Sequence, residues 1–283
     1  MRNITIYSDS TCDLSEQLIK QYNVKIMPLY VTFDDEVYRD HVDITPSKLY
    51  QMVEEKKKLP KTSAASVGDF MKLFQEEIDN GNDVIMFTIS SGLSSTYQNA
   101  LIAKDEVDSS RVEIIDSLNL SSSIGLEIIK ACKLRDAGKN IHEIKEELTT
   151  KIIPNVRAHF AIESLEYLHK GGRCSGASRL FGTLLQLKPV IIVKDGKMDV
   201  AAKSRGKRKA LDYMLNDIIE NKDKVDLDYI MVTHTYADDE AKELQAKLKE
   251  VFPTANVEIT EAGCVISSHC GKGTIGILYI LKQ

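Results

Sequence analysis

Residues 83–99 read DVIMFTISSGLSSTYQN. Positions 83–89 form a short apolar run, the pattern of a strand buried on both faces of a parallel sheet. Positions 90–95 are a polar turn, and a helix follows from 96 to about 107. Strand, turn and helix in one stretch mark a βα unit. The same rhythm extends on both sides. Ile4 and Ile6 precede a polar stretch at 8–13, and Asp13 reads as an N-cap with Glu16 as its capping-box partner. Leu14, Leu18 and Tyr22 then give a helical stripe. A strand is expected at 25–33, and Thr45 with Pro46 opens a second helix. After a loop at 59–65, Ser66 caps a helix carrying Phe70, Leu73, Phe74 and Ile78, which Gly81 closes. Another short strand lies at 112–115, and two more helices reach about residue 150.

Beyond Pro154 the rhythm changes. Two apolar runs, 189–193 and 198–202, flank Asp195-Gly196. That dipeptide signals a hairpin, because a type I′ turn needs positive φ at both central positions. Helices are expected at 205–221 and 237–252, strands at 228–234 and 255–260, and a last strand at 275–281. The expectation is a two-domain α/β protein. Residues 1–153 form a domain with a mostly parallel sheet, and residues 154–283 an α+β domain with antiparallel strands.

Composition removes several classes of function. Hydrophobic residues at 43% and charged residues at 28% are ordinary for a globular chain, which argues against disorder. Net charge is −5 and the cations are dispersed, so no basic face is concentrated enough for nucleic acid. Two short clusters, at 56–58 and 203–209, read as solvated helix ends. Five cysteines with no C-x-x-C give neither a disulfide framework nor a metal site. The first residues carry no signal-peptide core, and no apolar run approaches the roughly 20 residues of a membrane helix. A reducing cytoplasm is the expected location.

Four polar stretches interrupt this pattern at strand ends, where sites tend to be carried. Residues 8–13 read either as a well-capped turn or as a ligand loop at the carboxyl edge of the sheet. Residues 61–66, with Thr62 and Ser63, precede a helix N-terminus and suit capping as well as binding. Residues 89–99 say more. Ser90, Ser91, Ser94, Ser95 and Thr96 with Gly92 join a buried strand to a helix. A helix N-terminus offers unpaired N–H groups to an anion, and so many hydroxyls need partners. The spacing is neither a nucleophile elbow nor a P-loop. In the fourth stretch, residues 261–273, three glycines bracket His269, which is either a structural histidine or a ligand group with close backbone around it.

In order along the chain stand Asp-Ser-x-x-Asp-Leu at 9–14, Thr62-Ser63, and Ser-Gly-Leu-Ser-x-Thr-Tyr-Gln at 91–98. Asp116-Ser117 with a serine-rich turn at 121–125, Ser-Leu-x-Tyr-Leu-x-x-Gly-Gly-Arg at 164–173, and the Gly-rich His turn at 263–273 follow. Together these resemble the DegV family across essentially the whole chain. The resemblance implies a carrier without a cofactor. A long-chain fatty acid lies in the cleft between two α/β domains, with its carboxylate on Thr62, Ser94 and His269 and with Ser63 and Ser95 as neighbours. It implies presentation of the acid to a separate ATP-dependent fatty acid kinase, in a system that feeds phospholipid metabolism. Arg173 is implicated in that phosphoryl-transfer step, a membrane surface is a transient partner, and the chain has no nucleotide site of its own. Residues 64–65, Ser95, Cys270 and Lys272 depart from the usual family pattern, and none removes a ligand-binding group.

The physics of such a ligand is consistent. A 16-carbon acid buries about 14 methylenes at ~0.8 kcal/mol each, roughly 11 kcal/mol gross, for a class of about 14 to 18 carbons. Lost translational freedom and chain ordering offset much of this. The tail then supplies affinity, and the hydrogen-bonded head supplies orientation. A carboxylate beside His269 favours the imidazolium, while burial opposes it. Rival readings are a serine hydrolase or acyltransferase using Ser94 and His269, a phosphoryl carrier on His269, and a regulatory protein with an incidental lipid.

Overall fold

The computed structural model describes residues 2–174 and 187–282. Four strands, β1 (Ile4–Asp9), β2 (Val24–Met27), β6 (Asp83–Thr88) and β7 (Val112–Asp116), make an all-parallel sheet in the order β2-β1-β6-β7. Three more, β3 (Tyr30–Phe33), β4 (Glu36–Arg39) and β5 (Lys61–Ser63), make a small antiparallel sheet in the order β4-β3-β5. The second half builds one six-stranded mixed sheet. Its strands are β8 (Val156–Ala161), β9 (Leu187–Lys194), β10 (Lys197–Arg205), β11 (Ile230–His234), β12 (Val257–Glu261) and β13 (Ile275–Ile280). They run in the order β10-β9-β8-β13-β11-β12, antiparallel throughout except for β11 beside β12. The fold is therefore α/β with two domains.

Ten α-helices pack on these sheets among the described residues. In the first half they are α1 (Glu16–Tyr22), α2 (Pro46–Lys56), α3 (Val67–Asp79), α4 (Thr96–Asp105), α5 (Ser122–Asp136) and α6 (Ile141–Glu147). In the second they are α7 (Leu165–Gly171), α8 (Lys207–Glu220), α9 (Asp238–Val251) and α10 (Cys264–Cys270). None is long and apolar enough to cross a membrane among the described residues.

The central strand β6 is buried from Val84 to Thr88, as expected of a parallel strand covered on both faces. On α3, Ser66 and Asp69 form a capping box, and Phe70 and Phe74 face the core. Glu77 of the same helix accepts hydrogen bonds from Thr5, Tyr7 and Asn82 and pairs with Lys25, which ties α3 to the sheet by charge as well as packing. One apolar core runs through both halves, from Ile4 and Phe87 to Leu168 and Ile280. A second lies between the six-stranded sheet and helices α8 and α9, around Met214, Val232 and Leu248. The Asp195-Gly196 turn has φ of 49° and 74°, as its hairpin requires.

Several local expectations are corrected. Asp13 is not an N-cap. It sits at φ 47°, and Ser15 caps α1 by accepting from the Leu18 N–H. The single strand expected at 25–33 is two strands in different sheets, because Pro28 between them lacks an N–H for the ladder. The loop at 59–65 contains β5, paired to β3 with Thr62 opposite Val31. The glycine-bracketed stretch at 263–273 is largely α10, not a turn. The cations at 203–209 stand at the N-terminal end of α8, with Lys203 and Arg205 still on β10, and Lys207 pairs with Glu240. Strand β8 directly follows the Pro154-Asn155 turn, where the sequence reading places a boundary but no strand.

Phe74 is fully buried and stacks on Phe70 with ring centroids 5.9 Å apart. Phe74→Ala is expected to cost about 3–5 kcal/mol, read as a lower urea midpoint at unchanged slope. A loss below about 1 kcal/mol would contradict this packing.

Candidate functional site

Three segments distant in sequence meet at one cavity of about 230 Å³. The β3 ladder sets β5, and Thr62 shares a face with the fully buried Val31. The turn after β6 supplies residues 89–95, and α10 supplies His269. Leu29, Ile89, Leu93, Leu120, Val265 and Ile266 form the apolar wall. Thr62, Ser63, Ser94, Ser95, Arg173 and His269 all line the same cavity.

The turn 89–95 is held from every side. The Ile89 N–H donates to Asp9 at 2.7 Å and the Ser91 N–H to Asp116 at 3.0 Å. The Ser90 hydroxyl donates to the Gly196 carbonyl at 2.7 Å, across the two halves. That approach needs glycine on both sides. A Cβ on Gly92 would lie 2.5 Å from the Gly196 oxygen, and one on Gly196 would lie 2.7 Å from the Ser90 hydroxyl. The hairpin turn of the second half is thus a wedge against the hydroxyl-rich turn of the first.

Thr62 Oγ1 and His269 Nε2 are 2.8 Å apart. His269 Nδ1 has no partner among the described residues and faces Gly171, where a Cβ would lie only 2.4 Å away. A proton on Nδ1 would be buried without an acceptor, so Nε2 carries it and donates to Thr62 Oγ1. The Thr62 hydroxyl is then left to donate to a ligand. Burial, reinforced by the Arg173 charge, lowers the His269 pKa to about 4, so the imidazole is neutral near neutral pH.

Ser94 is arranged differently. Its hydroxyl lies 2.8 Å from that of Thr96 and accepts from the Thr96 N–H at 3.2 Å. Among the described residues no hydrogen bond joins Ser94 to His269, and no carboxylate orients Nδ1. A serine nucleophile needs both, so the geometry does not favour the hydrolase reading. Arg173 donates to the Gly171 carbonyl at 2.6 Å and to the Leu93 carbonyl at 3.4 Å, linking the end of α7 to the turn. Residues 8–13 stand behind the cavity rather than in its wall, with Asp9 and Asp13 buried. No group of three or more His, Cys, Asp or Glu is placed to hold a metal among the described residues.

Sequence reasoning missed Gly171, whose absent side chain makes room for His269, and the pair formed by the buried Asp40 and the exposed His41. The doubled glycine at 171–172 was the available signal for the first. For the second there was none beyond a polar dipeptide at the end of a strand.

A family profile described as "Uncharacterised protein, DegV family" matches residues 3–282. A DegV domain-containing protein of Clostridium acetobutylicum is 37% identical over 282 residues, covering 100% of each chain. A fatty-acid-binding DegV family protein from Thermus thermophilus superposes with a TM-score of 0.89 at 32% identity, covering 99% of this chain and 100% of that one. A stearic-acid-binding protein from Eubacterium ventriosum does so at 0.89 and 29% identity, covering 99% and 98%.

The depressed His269 pKa has a consequence for stability. Between about pH 4 and 6.5 the unfolded chain binds the proton and the folded one does not, so stability falls as pH drops through that window. Asp9, lifted to about 6 by burial, works in the opposite sense and is common to wild type and variant. Relative to wild type, His269→Gln is expected to gain on the order of 3 kcal/mol as pH falls from about 6.5 to about 4, measured by urea unfolding. Parallel stability curves for the two proteins would show that His269 titrates normally.

Proposed function

The chain belongs to the DegV family, and we propose that it carries a long-chain fatty acid of about 14 to 18 carbons in this cavity. The observation that carries the proposal is the Thr62–His269 pair at 2.8 Å on the rim of an apolar cavity. A carboxylate placed there accepts from the Thr62 hydroxyl and the Ser94 hydroxyl and shares the His269 Nε2–H with Thr62 Oγ1, with Ser63 and Ser95 beside it. Three donors offset the cost of burying its charge. A smaller apolar void of about 20 Å³ shares Leu120, Ile266 and Cys270 with the main cavity and is lined further by Phe160 and Leu278. The acyl chain runs past those three shared residues. Residues 1–153 and 154–283 act as the two domains that close on it. The solved relatives named above, described as fatty-acid-binding and stearic-acid-binding, support the same ligand class.

The finer part of the proposal concerns what happens to the bound acid. The carrier works in the cytoplasm, meets a membrane surface transiently, and presents the carboxylate to a separate ATP-dependent kinase that forms the acyl phosphate. It supplies no nucleotide site itself. Arg173, exposed at the cavity rim and held to the Leu93 and Gly171 carbonyls, supports this, since an arginine there can meet phosphoryl oxygens.

Native mass spectrometry followed by solvent extraction tests the proposal. The expected result is one acid of 14 to 18 carbons per chain, released intact. A clean protein mass with no uptake of added acid would refute it. Thr62→Val is expected to weaken binding by roughly tenfold, the scale of one hydrogen bond to a charged group. Unchanged affinity would remove Thr62 from the head-group site.

A further inference from the structure

Helix α10 begins with N–H groups that have no helical acceptor, as every helix does. Its own N-cap, Gly263, provides no side chain. The acceptors come from the first half of the chain. The Gly263 N–H donates to Asp13 Oδ1 at 2.8 Å, 250 residues away in sequence. The Cys264 N–H donates to Asp40 Oδ1 at 2.7 Å, 224 residues away. The Val265 N–H adds a weaker bond to Asp40 Oδ2 at 3.4 Å. Both carboxylates are buried, Asp40 at 1% exposure and Asp13 at 2%.

Each carboxylate is also anchored on its own side. Asp40 Oδ2 accepts from the Ser10 hydroxyl at 2.9 Å, and that same oxygen of Ser10 accepts from the Leu29 N–H at 3.1 Å. Asp13 Oδ2 accepts from the Ser121 hydroxyl at 2.5 Å. The His41 ring packs on Gly263, where a Cβ would lie 2.3 Å from Nε2, and Nε2 stands 3.9 Å from Asp13 Oδ1. The Asp13 carboxylate beside it outweighs burial and raises the His41 pKa to about 9, which keeps a cation beside the two carboxylates.

The position of Asp40 links both members of the head-group pair. It follows β4 directly, and β4 and β5 flank β3 on either side. Thr62 is on β5. His269 is on α10, which Asp40 caps. One side chain therefore joins the sheet that carries Thr62 to the helix that carries His269. The span from Cys264 to His269 is about 8 Å at ~1.5 Å per residue, short and rigid enough to pass on a displacement at the cap.

We propose that Asp40, with Asp13, is a positioning residue of the head-group site: it sets the Thr62–His269 distance without touching the ligand. The inference rests on the fatty-acid reading for its affinity test. Its spectroscopic test needs no ligand.

The experiment compares wild type, Asp40→Asn and Asp40→Ala. Binding is measured for palmitic acid and for hexadecanol, which shares the tail and lacks the carboxylate. Asp40→Ala is expected to lose at least tenfold in acid affinity and to change less than twofold for the alcohol. Asp40→Asn, which keeps an acceptor for the Cys264 N–H, is expected to recover part of the loss. Equal losses for acid and alcohol, or no loss, would overturn the proposal. In the ligand-free proteins the His269 imidazole is followed by NMR, assigned with His269→Gln. Its titration is expected to move up towards 6.5 in Asp40→Ala, and an unmoved titration would also overturn the proposal. If Asp40→Ala does not fold, Ser10→Ala is read by the same two measurements, with a threefold acid-selective loss expected and no selective loss contradicting it. A wild type that takes neither ligand defeats the fatty-acid reading alone, and the titration still decides the role of Asp40.

Discussion

The first-turn N–H groups of α10 and the carboxylates of Asp13 and Asp40 are each costly to bury alone and inexpensive together. An unpaired buried donor costs about 1–3 kcal/mol, and an unpaired buried carboxylate more. At the helix end the carboxylates meet donors and a favourable dipole at once. Sequence-distant halves of the chain can bury these groups only by docking against one another. The cavity is a by-product of that docking, since its wall draws Leu29 and Ile89 from one side and Val265 and Ile266 from the other.

The electrostatics of the cavity follow from the same burial. His269 is held neutral, so it places no isolated buried charge in the cavity wall that would itself need a counter-ion. In the proposed function, selectivity for an anionic head comes from oriented donors instead. On that proposal the apolar wall beyond them would provide most of the free energy for a long tail, while the donors would decide which end lies at the rim. Arg173 adds a positive charge at the opening, where solvent moderates it.

Much of the fold was legible because its signals are local. The apolar run at 83–89, the Ser66 cap with Phe70 and Phe74 behind it, and the Asp195-Gly196 turn each specify themselves within a few residues. The errors arose where a long-range partner took over a local signal. Asp13 has the chemistry of an N-cap, but its carboxylate is engaged by Ser121 and Gly263, and Ser15 caps the helix. The stretch at 263–273 looks like a turn because of its glycines, yet those glycines admit His41 and Tyr167 against a short helix. Of the site, Thr62, Ser94 and His269 lie in polar stretches that also suit capping or a structural histidine, and it is the family resemblance that singles them out. Gly171 was marked only by the doubled glycine at 171–172, and Asp40 by nothing, because capping from 224 residues away leaves no trace in spacing.

The central claim is that a fatty carboxylate is buried among the hydroxyl and imidazole donors of Thr62, Ser94 and His269. The most direct measurement is carbon-13 NMR of palmitate labelled at C1 and bound to the protein. The account expects one carboxyl resonance that stays at its ionised position as pH crosses the ordinary carboxyl range near about 4.5, and that moves in Thr62→Val. A carboxyl signal that titrates as in water, or one indifferent to Thr62, would contradict it.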